Sequence, residues 1–257
     1  MKKMERNKVA LVTGAGRGIG KSIALLLAKN GYNVGVNYYS SEDGAKEVCK
    51  KIDDMGVKSL CLKADVAKLE EINKMFELFL DEFAYIDLVV NNAGISKFTP
   101  FLEVEEAFWD RITSVNWKGA YFCSQRAAQN MVENNIAGTI INISSNHKSG
   151  CWPDASVYAS NKAALTKFTK NVAMELAQYN IRVNAIAPGY TNVGWDRNSP
   201  VFEAESKIPL KRFAFPEEIA HAVLYMASEE AAYITGECLN IDGGALLPVV
   251  PENDFDK

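Results

Sequence analysis

Short apolar runs alternate with longer stretches of helical periodicity along this chain. Runs such as VALV at 9–12 and LVVN at 88–91 hold no charged residue, which is typical of strands buried on both faces of a parallel sheet. Right-handed strand–helix–strand crossovers place helices on both faces of such a sheet. The alternation therefore predicts an α/β fold built on a single doubly wound parallel sheet. The expected strands are 8–12, 34–37, 59–63, 86–91, 138–144, 181–186 and 237–241, and the expected helices are 19–30, 42–55, 69–83, 105–133, 156–179 and 216–226.

Composition narrows the class of protein. The 257 residues contain no linker, repeat or shift of composition, so we expect one domain over residues 1–257. A formal net charge of −4 gives no basic surface for nucleic acid or for an anionic membrane. No apolar run approaches the ~20 residues that cross a bilayer, and the first residues lead into a strand rather than a signal-peptide core. Five cysteines without a CxxC spacing favour a cytoplasmic protein with no disulfides and no metal.

A glycine-rich turn, TGAGRGIG at 13–20, follows the first expected strand. Its alternating glycines allow the backbone to approach a pyrophosphate without a clash at Cβ. The helix that follows would direct its first N–H groups and its dipole at the phosphates. A glycine cluster can be a plain turn, but its place between a strand and a helix is the context of a dinucleotide site. The turn thus predicts a Rossmann-type fold with a bound dinucleotide.

A tyrosine and a lysine, Tyr158 and Lys162, lie four residues apart in an expected helix and share one of its faces. Ser145 lies thirteen residues upstream of the tyrosine, at the end of an apolar run. A phenol has a reference pKa near ~10, so one that works near neutrality needs a neighbouring cation. The pattern indicates a phenol acid/base beside the dinucleotide.

These residues, in this order, resemble the short-chain dehydrogenase/reductase family. The resemblance runs from about Lys8 to about Gly244 and includes Asp65-Val66, NNAG at 91–94 and Pro188-Gly189. It implies an NAD(P)-dependent enzyme that interconverts a secondary alcohol and a ketone. Asp65 would contact the adenine ring, although it could instead cap the following helix. The cofactor contacts that the resemblance implies are Gly14, Arg17, Gly18, Ile19, Gly20, Asp65, Val66, Asn92, Ala93, Gly94, Tyr158, Lys162, Pro188 and Gly189.

The family resemblance also implies the catalytic roles. Tyr158 would give or take the proton, and Lys162 would lower the tyrosine pKa and bind the nicotinamide ribose. Ser145 would hydrogen-bond the carbonyl oxygen, and Asn116 would hold a water that relays protons to the lysine. Two alternatives stay open, since Asn116 could face solvent in mid-helix and Ser144 could replace Ser145.

The end of the second strand bears on the choice of cofactor. It reads NYYSS at 37–41, with no carboxylate before Glu42 to bind a ribose 2′-hydroxyl. A 2′-phosphate would meet no repulsion there, and Arg17 with Ser40 or Ser41 could bind it. NADP(H) is therefore favoured. A second arginine, common in NADP-using members of the family, is missing, so NAD(H) remains possible.

A long segment at 189–210 is expected to act as a substrate lid. Within it, Val193 stands where family members have a threonine that contacts the nicotinamide amide, and Thr191 is a possible substitute. Trp195 in the lid and His147 next to the serine are candidate substrate contacts, although His147 could equally be a satisfied loop residue. The full set of expected substrate contacts is Ser145, His147, Tyr158 and Trp195.

The substrate class is the least defined feature. The stretches 37–43, 143–148 and 152–153 resemble sugar or polyol dehydrogenases of the glucose dehydrogenase type, so a small sugar or polyol leads. A 3-oxoacyl-carrier-protein reductase is the alternative, but 133–138 and 177–180 lack the Lys or Arg that would meet an acidic carrier. A hydroxysteroid would suit an apolar lid. A non-catalytic NAD(P)-binding sensor or scaffold is the alternative of a different class, and an intact set of catalytic residues argues against it.

The pattern of apolar positions also predicts assembly. The helices 105–133 and 156–179 carry more apolar residues than one sheet face can cover, and the last strand would be a sheet edge. Two self-complementary surfaces per subunit generate a closed tetramer. We therefore expect a homotetramer.

Overall fold

The structure is a computed structural model that describes residues 7–247. The first six residues and residues 248–257, with most of the proline- and acid-rich tail, lie outside it, as do both ends of the expected domain. Its strands are β1 (Val9–Val12), β2 (Asn33–Tyr38), β3 (Ser59–Lys63), β4 (Leu88–Asn91), β5 (Thr139–Ile143), β6 (Arg182–Pro188) and β7 (Cys238–Ile241). They form one parallel seven-stranded sheet in the order β3-β2-β1-β4-β5-β6-β7. This confirms the predicted doubly wound, Rossmann-type sheet.

Helices cover both faces of the sheet. They are α1 (Gly18–Lys29), α2 (Glu42–Asp53), α3 (Leu69–Phe83), α4 (Glu106–Thr113), α5 (Ala120–Glu133), α6 (Ser156–Leu176) and α7 (Pro216–Ala227). The core on one face includes residues of α1, α2 and α7, and the core on the other includes residues of α3, α5 and α6. Alternate residues of the central strand β1 serve the two cores, Ala10 and Val12 on one side and Val9 and Leu11 on the other. None of the helices within residues 7–247 is long and apolar enough to span a membrane.

The long helix expected at 105–133 is interrupted. A π-helical segment (Ser114–Gly119) separates α4 from α5. Such wider turns are rare and recur at functional sites, and this one contains Asn116. The expected single helix is therefore divided at this segment.

The carboxyl ends of the strands meet at one edge of the sheet. The order of the strands reverses between β1 and β4, and in doubly wound sheets ligands bind in the crevice outside such a switch point. The glycine-rich turn follows β1, Gly94 lies just after β4, and Ser145 lies just after β5. The fold therefore brings the dinucleotide and catalytic motifs to the same crevice.

The expected lid runs from the end of β6 to Leu210. It contains a 3-10 helix (Pro200–Lys207). Its aromatic residues pack on one ring: Tyr190 and Phe202 stack on Phe213 with ring centroids 4.9 Å apart in each pair, and Trp195 meets Phe213 edge-on at 5.8 Å. The aromatic residues of the lid therefore pack around a ring, that of Phe213, just beyond its end.

Candidate active site

Hydrogen bonds fasten the glycine-rich turn to the end of β4. Thr13 Oγ1 accepts from the backbone N–H groups of Asn92 and Ala93, both at 3.0 Å. Asn92 Nδ2 donates in turn to the carbonyls of Thr13 and Gly14, at 2.9 and 3.1 Å. Gly14 and Gly18 have positive φ values of 64° and 54°, which L side chains rarely adopt. The turn is therefore held rigidly against the strand that ends in the catalytic crevice.

The first turn of α1 opens onto the same crevice. The first N–H groups of a helix have no partner within it, so those of Gly18, Ile19 and Gly20 are free to bind phosphate oxygens. The side chain of Ile19 packs against the core, which leaves its backbone as the possible contact. Arg17 is exposed at the helix N-cap, next to these amides.

The opposite end of the crevice contains an unsatisfied amide. Gly189, just after β6, donates its N–H to the Ile241 carbonyl at 2.9 Å. The buried Asn146 places Nδ2 3.4 Å from the position that a Cβ on Gly189 would occupy. This Nδ2 has no hydrogen-bond partner within residues 7–247. A spare donor beside Pro188-Gly189 fits the carboxamide of a nicotinamide, so both ends of the crevice fit the expected dinucleotide.

The two serines after β5 face different ways. The Ser144 hydroxyl donates to the Lys162 carbonyl at 3.0 Å and so faces α6. Ser145 Oγ hydrogen-bonds to the Tyr158 side chain and lies 3.2 Å from His147 Nδ1. The serine beside the tyrosine is therefore Ser145, as the thirteen-residue offset predicts.

Lys162 is buried behind the tyrosine. Its Nζ donates to the Ile143 carbonyl at 2.8 Å and lies 5.7 Å from the centroid of the Tyr158 ring. The same Nζ is 3.7 Å from the position of a Cβ on Gly94, so the lysine faces the crevice. Burial lowers the pKa of Lys162 to about 8.

The tyrosine differs from expectation. Burial raises the pKa of Tyr158 above its usual value, opposed by hydrogen bonds with Ser145 and Ser96. The net direction of the pKa shift is opposite to the one expected, because removal of the phenolate from water is the largest effect, and the groups that lower the pKa are Ser145 and Ser96. Tyr158 therefore keeps its proton at neutral pH and is a donor.

Asn116 acts within the π-helical segment as a clamp. Its Oδ1 accepts from the Ile95 N–H at 2.8 Å, and its Nδ2 donates to the Ile95 carbonyl at 2.9 Å. The residue is 1% exposed, so the alternative of a solvent-facing side chain is wrong. At the end of the segment, a Cβ on Gly119 would lie 2.7 Å from the Val66 carbonyl oxygen, so a glycine is needed there.

Aromatic rings form one wall beside the serine and the tyrosine. The His147 ring stacks on Trp152 at 3.9 Å and on Phe98 at 5.7 Å, and it meets Tyr158 edge-on at 5.2 Å. Burial, with a smaller effect of the Lys162 charge, lowers the pKa of His147 to about 4. His147 is therefore a neutral pocket residue at physiological pH.

Two tyrosines at the end of β2 differ in exposure. Tyr38 is buried in the core beneath α2, whereas Tyr39 is 56% exposed. Glu42, the nearest carboxylate in sequence, pairs with Lys46 at 2.7 Å and with Lys63 at 3.8 Å. Its charge is therefore compensated by two cations.

Asp65 does not cap the following helix. The first residue before that helix is Lys68, and no side chain caps it. Asp65 Oδ1 instead accepts from the Ala67 N–H at 3.0 Å, and Oδ2 accepts from Arg111 at 2.7 Å. The capping alternative is therefore wrong, and the carboxylate stands at the crevice edge with an arginine partner.

The lid packs on the glycine-rich turn. Val193 Cγ1 lies 3.2 Å from the position that a Cβ on Gly18 would occupy. Thr191 is buried, and its hydroxyl donates to the Gly189 carbonyl at 3.2 Å. This is the hydroxyl that was expected to replace the family threonine at the nicotinamide amide, and its proton is already used in this bond. Trp195 packs on the Phe213 ring, and its role as a substrate contact stays a prediction.

Comparison with known proteins identifies the family. A family model described as enoyl-(acyl carrier protein) reductase matches residues 14–245. The chain belongs to the short-chain dehydrogenase/reductase family. It is 41% identical over 247 residues, 94% of this chain, to all of the 3-oxoacyl-[acyl-carrier-protein] reductase FabG of Staphylococcus epidermidis. It is 38% identical over 245 residues, 93% of this chain and 95% of the relative, to glucose 1-dehydrogenase 2 of Bacillus subtilis. Its structure matches acetoin dehydrogenase YohF from Salmonella typhimurium with a TM-score of 0.90 and 37% identity, over 96% of this chain and 98% of that one.

Three residues of this short-chain dehydrogenase/reductase site escaped the sequence analysis. Ser96 and Phe98 lie in the loop that follows Gly94, and their place just beyond a strand end was the available signal. Arg111 lies one helical turn before Val115, and nothing in its local sequence indicates that it reaches Asp65. All three meet the site through contacts between segments that are distant in sequence.

Burial of Lys162 predicts a pH dependence of stability. Because the folded pKa is about 8 and the unfolded value is near ~10.4, the unfolded chain binds more protons between these values, and the native state gains stability as pH rises through that window. Lys162→Met removes this titration. The free energy of unfolding of the variant minus that of wild type should therefore be largest at pH 7. That advantage should shrink by about 2–3 kcal/mol between pH 8 and 10. Urea unfolding at pH 7, 8.5 and 10 measures it.

Lys167 is the control, since it is exposed on the same helix. Lys167→Met should give the same difference from wild type at all three pH values. A difference for Lys162→Met that stays constant with pH would show that the buried lysine does not titrate in this range.

Proposed function

We propose that this enzyme interconverts a secondary alcohol and a ketone by hydride transfer, with NADP(H) preferred over NAD(H). The observation that carries the proposal is the meeting of Ser145, Tyr158 and Lys162 at the sheet crevice where the glycine-rich turn lies. A dinucleotide bound there would supply or accept the hydride. The remaining chemistry belongs to side chains of this chain.

The protein groups stabilise and protonate the reacting oxygen. In ketone reduction, negative charge develops on that oxygen, and the hydroxyls of Ser145 and Tyr158 are placed together to donate to it. Tyr158 then gives up its proton, which its raised pKa keeps in place at neutral pH. Lys162, held by the Ile143 carbonyl, provides positive charge behind the phenolate that remains. Asn116 keeps the loop after β4 in place through both backbone groups of Ile95.

The substrate we propose is a small sugar or polyol. The wall of His147, Phe98 and Trp152 lies directly beside the catalytic serine and tyrosine, and it offers flat apolar surface with a neutral imidazole. Two relatives are named for small hydroxylated substrates, glucose and acetoin.

Two alternative substrates have specific support. A 3-oxoacyl carrier-protein substrate is supported by the 41% identity to a reductase of that name. The segments at 133–138 and 177–180 precede β5 and β6, at the sheet edge opposite Ser145, so their lack of Lys and Arg does not exclude a carrier. A hydroxysteroid is less well supported, because Trp195 and Phe202 pack on Phe213 within the lid. A screen of cofactor oxidation with sugars, acetoin, 3-oxoacyl thioesters and steroids separates these classes.

The first prediction concerns the acid. Tyr158→Phe should retain dinucleotide binding but lower kcat by at least ~100-fold, because it removes the proton donor. Steady-state kinetics on the best substrate of the screen, with calorimetric titration of NADPH, measure both quantities. Tyr225→Phe is the matched control, since this exposed tyrosine on α7 lies far along the chain from the catalytic residues. Turnover of a folded Tyr158→Phe enzyme within about threefold of wild type would overturn the assignment.

The second prediction concerns the cofactor. NADPH should bind more tightly than NADH, because Arg17 is exposed in the glycine-rich turn and the charge of Glu42 is compensated by Lys46 and Lys63. Arg17→Ala should remove much of that preference. Tyr39→Asp should shift preference toward NADH by about tenfold or more through repulsion of the 2′-phosphate. Tyr38 is unsuitable for this test because its ring is buried.

Titration of both reduced cofactors against wild type and each variant decides the matter. Tyr39→Asn is the neutral control, and it should leave the ratio of the two dissociation constants close to that of wild type. A wild-type enzyme that prefers NADH would refute the proposed preference.

We further propose a homotetramer built on two surfaces. On α6, Ala163 is exposed and Phe168 is only partly covered, by Tyr121 of α5 at a ring distance of 5.0 Å. On the sheet edge β7, Leu239 is 37% exposed. Each surface presents apolar groups that a second copy would cover, and two such surfaces close into a tetramer.

Light scattering tests the assembly. Wild type should have the mass of four 28.3 kDa chains. Phe168→Glu and Leu239→Lys should each disrupt one surface and leave dimers, because the other surface is intact. A wild type that is a stable monomer at micromolar concentration would refute the proposal.

The remaining expectations concern the setting of the enzyme. We propose a reducing, cytoplasmic compartment, which the five free thiols support. Cys49 and Cys61 lie within hydrogen-bond reach of one another on α2 and β3 and are not joined. Within residues 7–247, no group of three or more His, Cys, Asp or Glu side chains is placed to hold a metal ion.

A further inference from the structure

Arg111 connects the ends of two strands from a distant helix. It lies on α4, and its Nη1 donates to Asp65 Oδ2, just beyond β3, at 2.7 Å. Its guanidinium carbon also lies 5.3 Å from the centroid of the Tyr39 ring, just beyond β2. One planar cation therefore contacts both side chains that flank the adenosine end of the crevice.

The Asp65 carboxylate depends on such a partner. The side chain is 4% exposed, whereas that of Arg111 is 40% exposed. A buried carboxylate is costly unless it is paired and hydrogen-bonded. The Ala67 N–H satisfies Oδ1 at 3.0 Å, and Glu71 accepts from the backbone N–H of Asp65 at 2.7 Å, which fixes the main chain. Arg111 completes the set and fixes the direction of Oδ2.

The contact with Tyr39 has a different consequence. Tyr39 is 56% exposed. Within residues 7–247, its ring contacts one charged group, the guanidinium of Arg111. A cation over a tyrosine face is favourable and restrains the ring. Without the arginine, both the ring and the carboxylate would gain freedom at the edge of the crevice.

We propose that Arg111 is a positioning residue for the adenosine half of the dinucleotide, and that it acts by orienting Asp65 and Tyr39. This rests on the proposed function, which places a dinucleotide in the crevice. The groups suited to a 2′-phosphate are Arg17, within the glycine-rich turn, and Ser41, which packs on Gly16 of that turn, whereas Arg111 contacts the Asp65 carboxylate and the Tyr39 ring. Loss of Arg111 therefore weakens binding of the adenosine moiety itself, with or without a 2′-phosphate.

Calorimetric titration of 5′-AMP, NAD⁺ and NADP⁺ into the purified full-length protein tests the proposal. For Arg111→Met, we expect the dissociation constant of each nucleotide to rise by about tenfold or more, and by a similar factor for all three. Arg111→Lys should recover part of the affinity, because it keeps the charge beside Asp65 but not the planar fork. At saturating cofactor, kcat of Arg111→Met should stay within about threefold of wild type, because the Asn116 clamp on Ile95 does not involve Arg111.

Two further variants separate positioning from stability. Asp65→Asn with Arg111→Met removes the unpaired carboxylate, so the melting temperature should recover while nucleotide binding stays weak. Arg126→Met is the matched control, since this arginine of α5 bonds to Asn73 and Gln129, and its dissociation constants should equal those of wild type.

The outcomes are distinguishable. Dissociation constants of Arg111→Met within about threefold of wild type, or a loss confined to NADP⁺, would overturn the positioning role while the proposed function stands. Wild-type affinity in the double variant would overturn it as well. A wild type that binds none of the three nucleotides would overturn the proposed function itself.

Discussion

The arrangement of the site depends on one buried cation. Lys162 lies inside the protein and donates from Nζ to the Ile143 carbonyl at the end of β5. Burial of an ammonium group costs stability, which its pKa of about 8 records. The hydrogen bond joins α6 to β5, the strand that Ser145 follows, and so places Tyr158 beside the serine. The Ser144 hydroxyl makes a second tie to the same residue of α6. The geometry of the proposed catalytic residues therefore depends on the junction between α6 and β5.

Neutral polar side chains support this junction from within the core. Asn91 donates to Ser124 and Asn142 at 2.8 Å, and Asn142 donates to Thr169 at 2.9 Å, so that β4, β5, α5 and α6 are joined. A buried network of this kind favours one arrangement of the elements that it joins. One atom of this network, Asn91 Oδ1, is buried without a hydrogen-bond partner within residues 7–247. The π-helical segment adds a second constraint, because the wider turn sets Asn116 where both its amide atoms reach Ile95.

The sequence alone was enough for the sheet, because apolar strands and the glycine-rich turn are local signals. The side chains that it proposed as catalytic, Ser145, Tyr158 and Lys162, lie together in the structure. The sequence was not enough where a side chain's direction depends on the fold. The strand β2 continues through Tyr38, so the next residue, Tyr39, is the one that turns outward, and no pattern at a strand end reveals this. The pKa of Tyr158 was expected to be lowered, but burial raises it. A helical spacing shows that a lysine is near the tyrosine, but it does not show that the tyrosine is buried. Arg111 was missed because its partners lie 46 and 72 positions away in the chain.

The division between strand ends and loops explains why one architecture has relatives named for such different substrates. Lys162 donates to the Ile143 carbonyl of β5, Tyr158 lies on the same helix as Lys162, and Asn116 is buried in the π-helical segment. The sheet and its helices therefore set the positions of these three side chains. The groups that would meet the rest of a substrate come from loops instead: the ring wall from the segments after β4 and β5, and the cover from a lid whose rings pack on Phe213. Loops change at little cost to the core, because few buried contacts depend on them. The proposed reaction thus depends on residues that the sheet and its helices fix in place. The choice of substrate depends on loop residues, which can change without loss of the core.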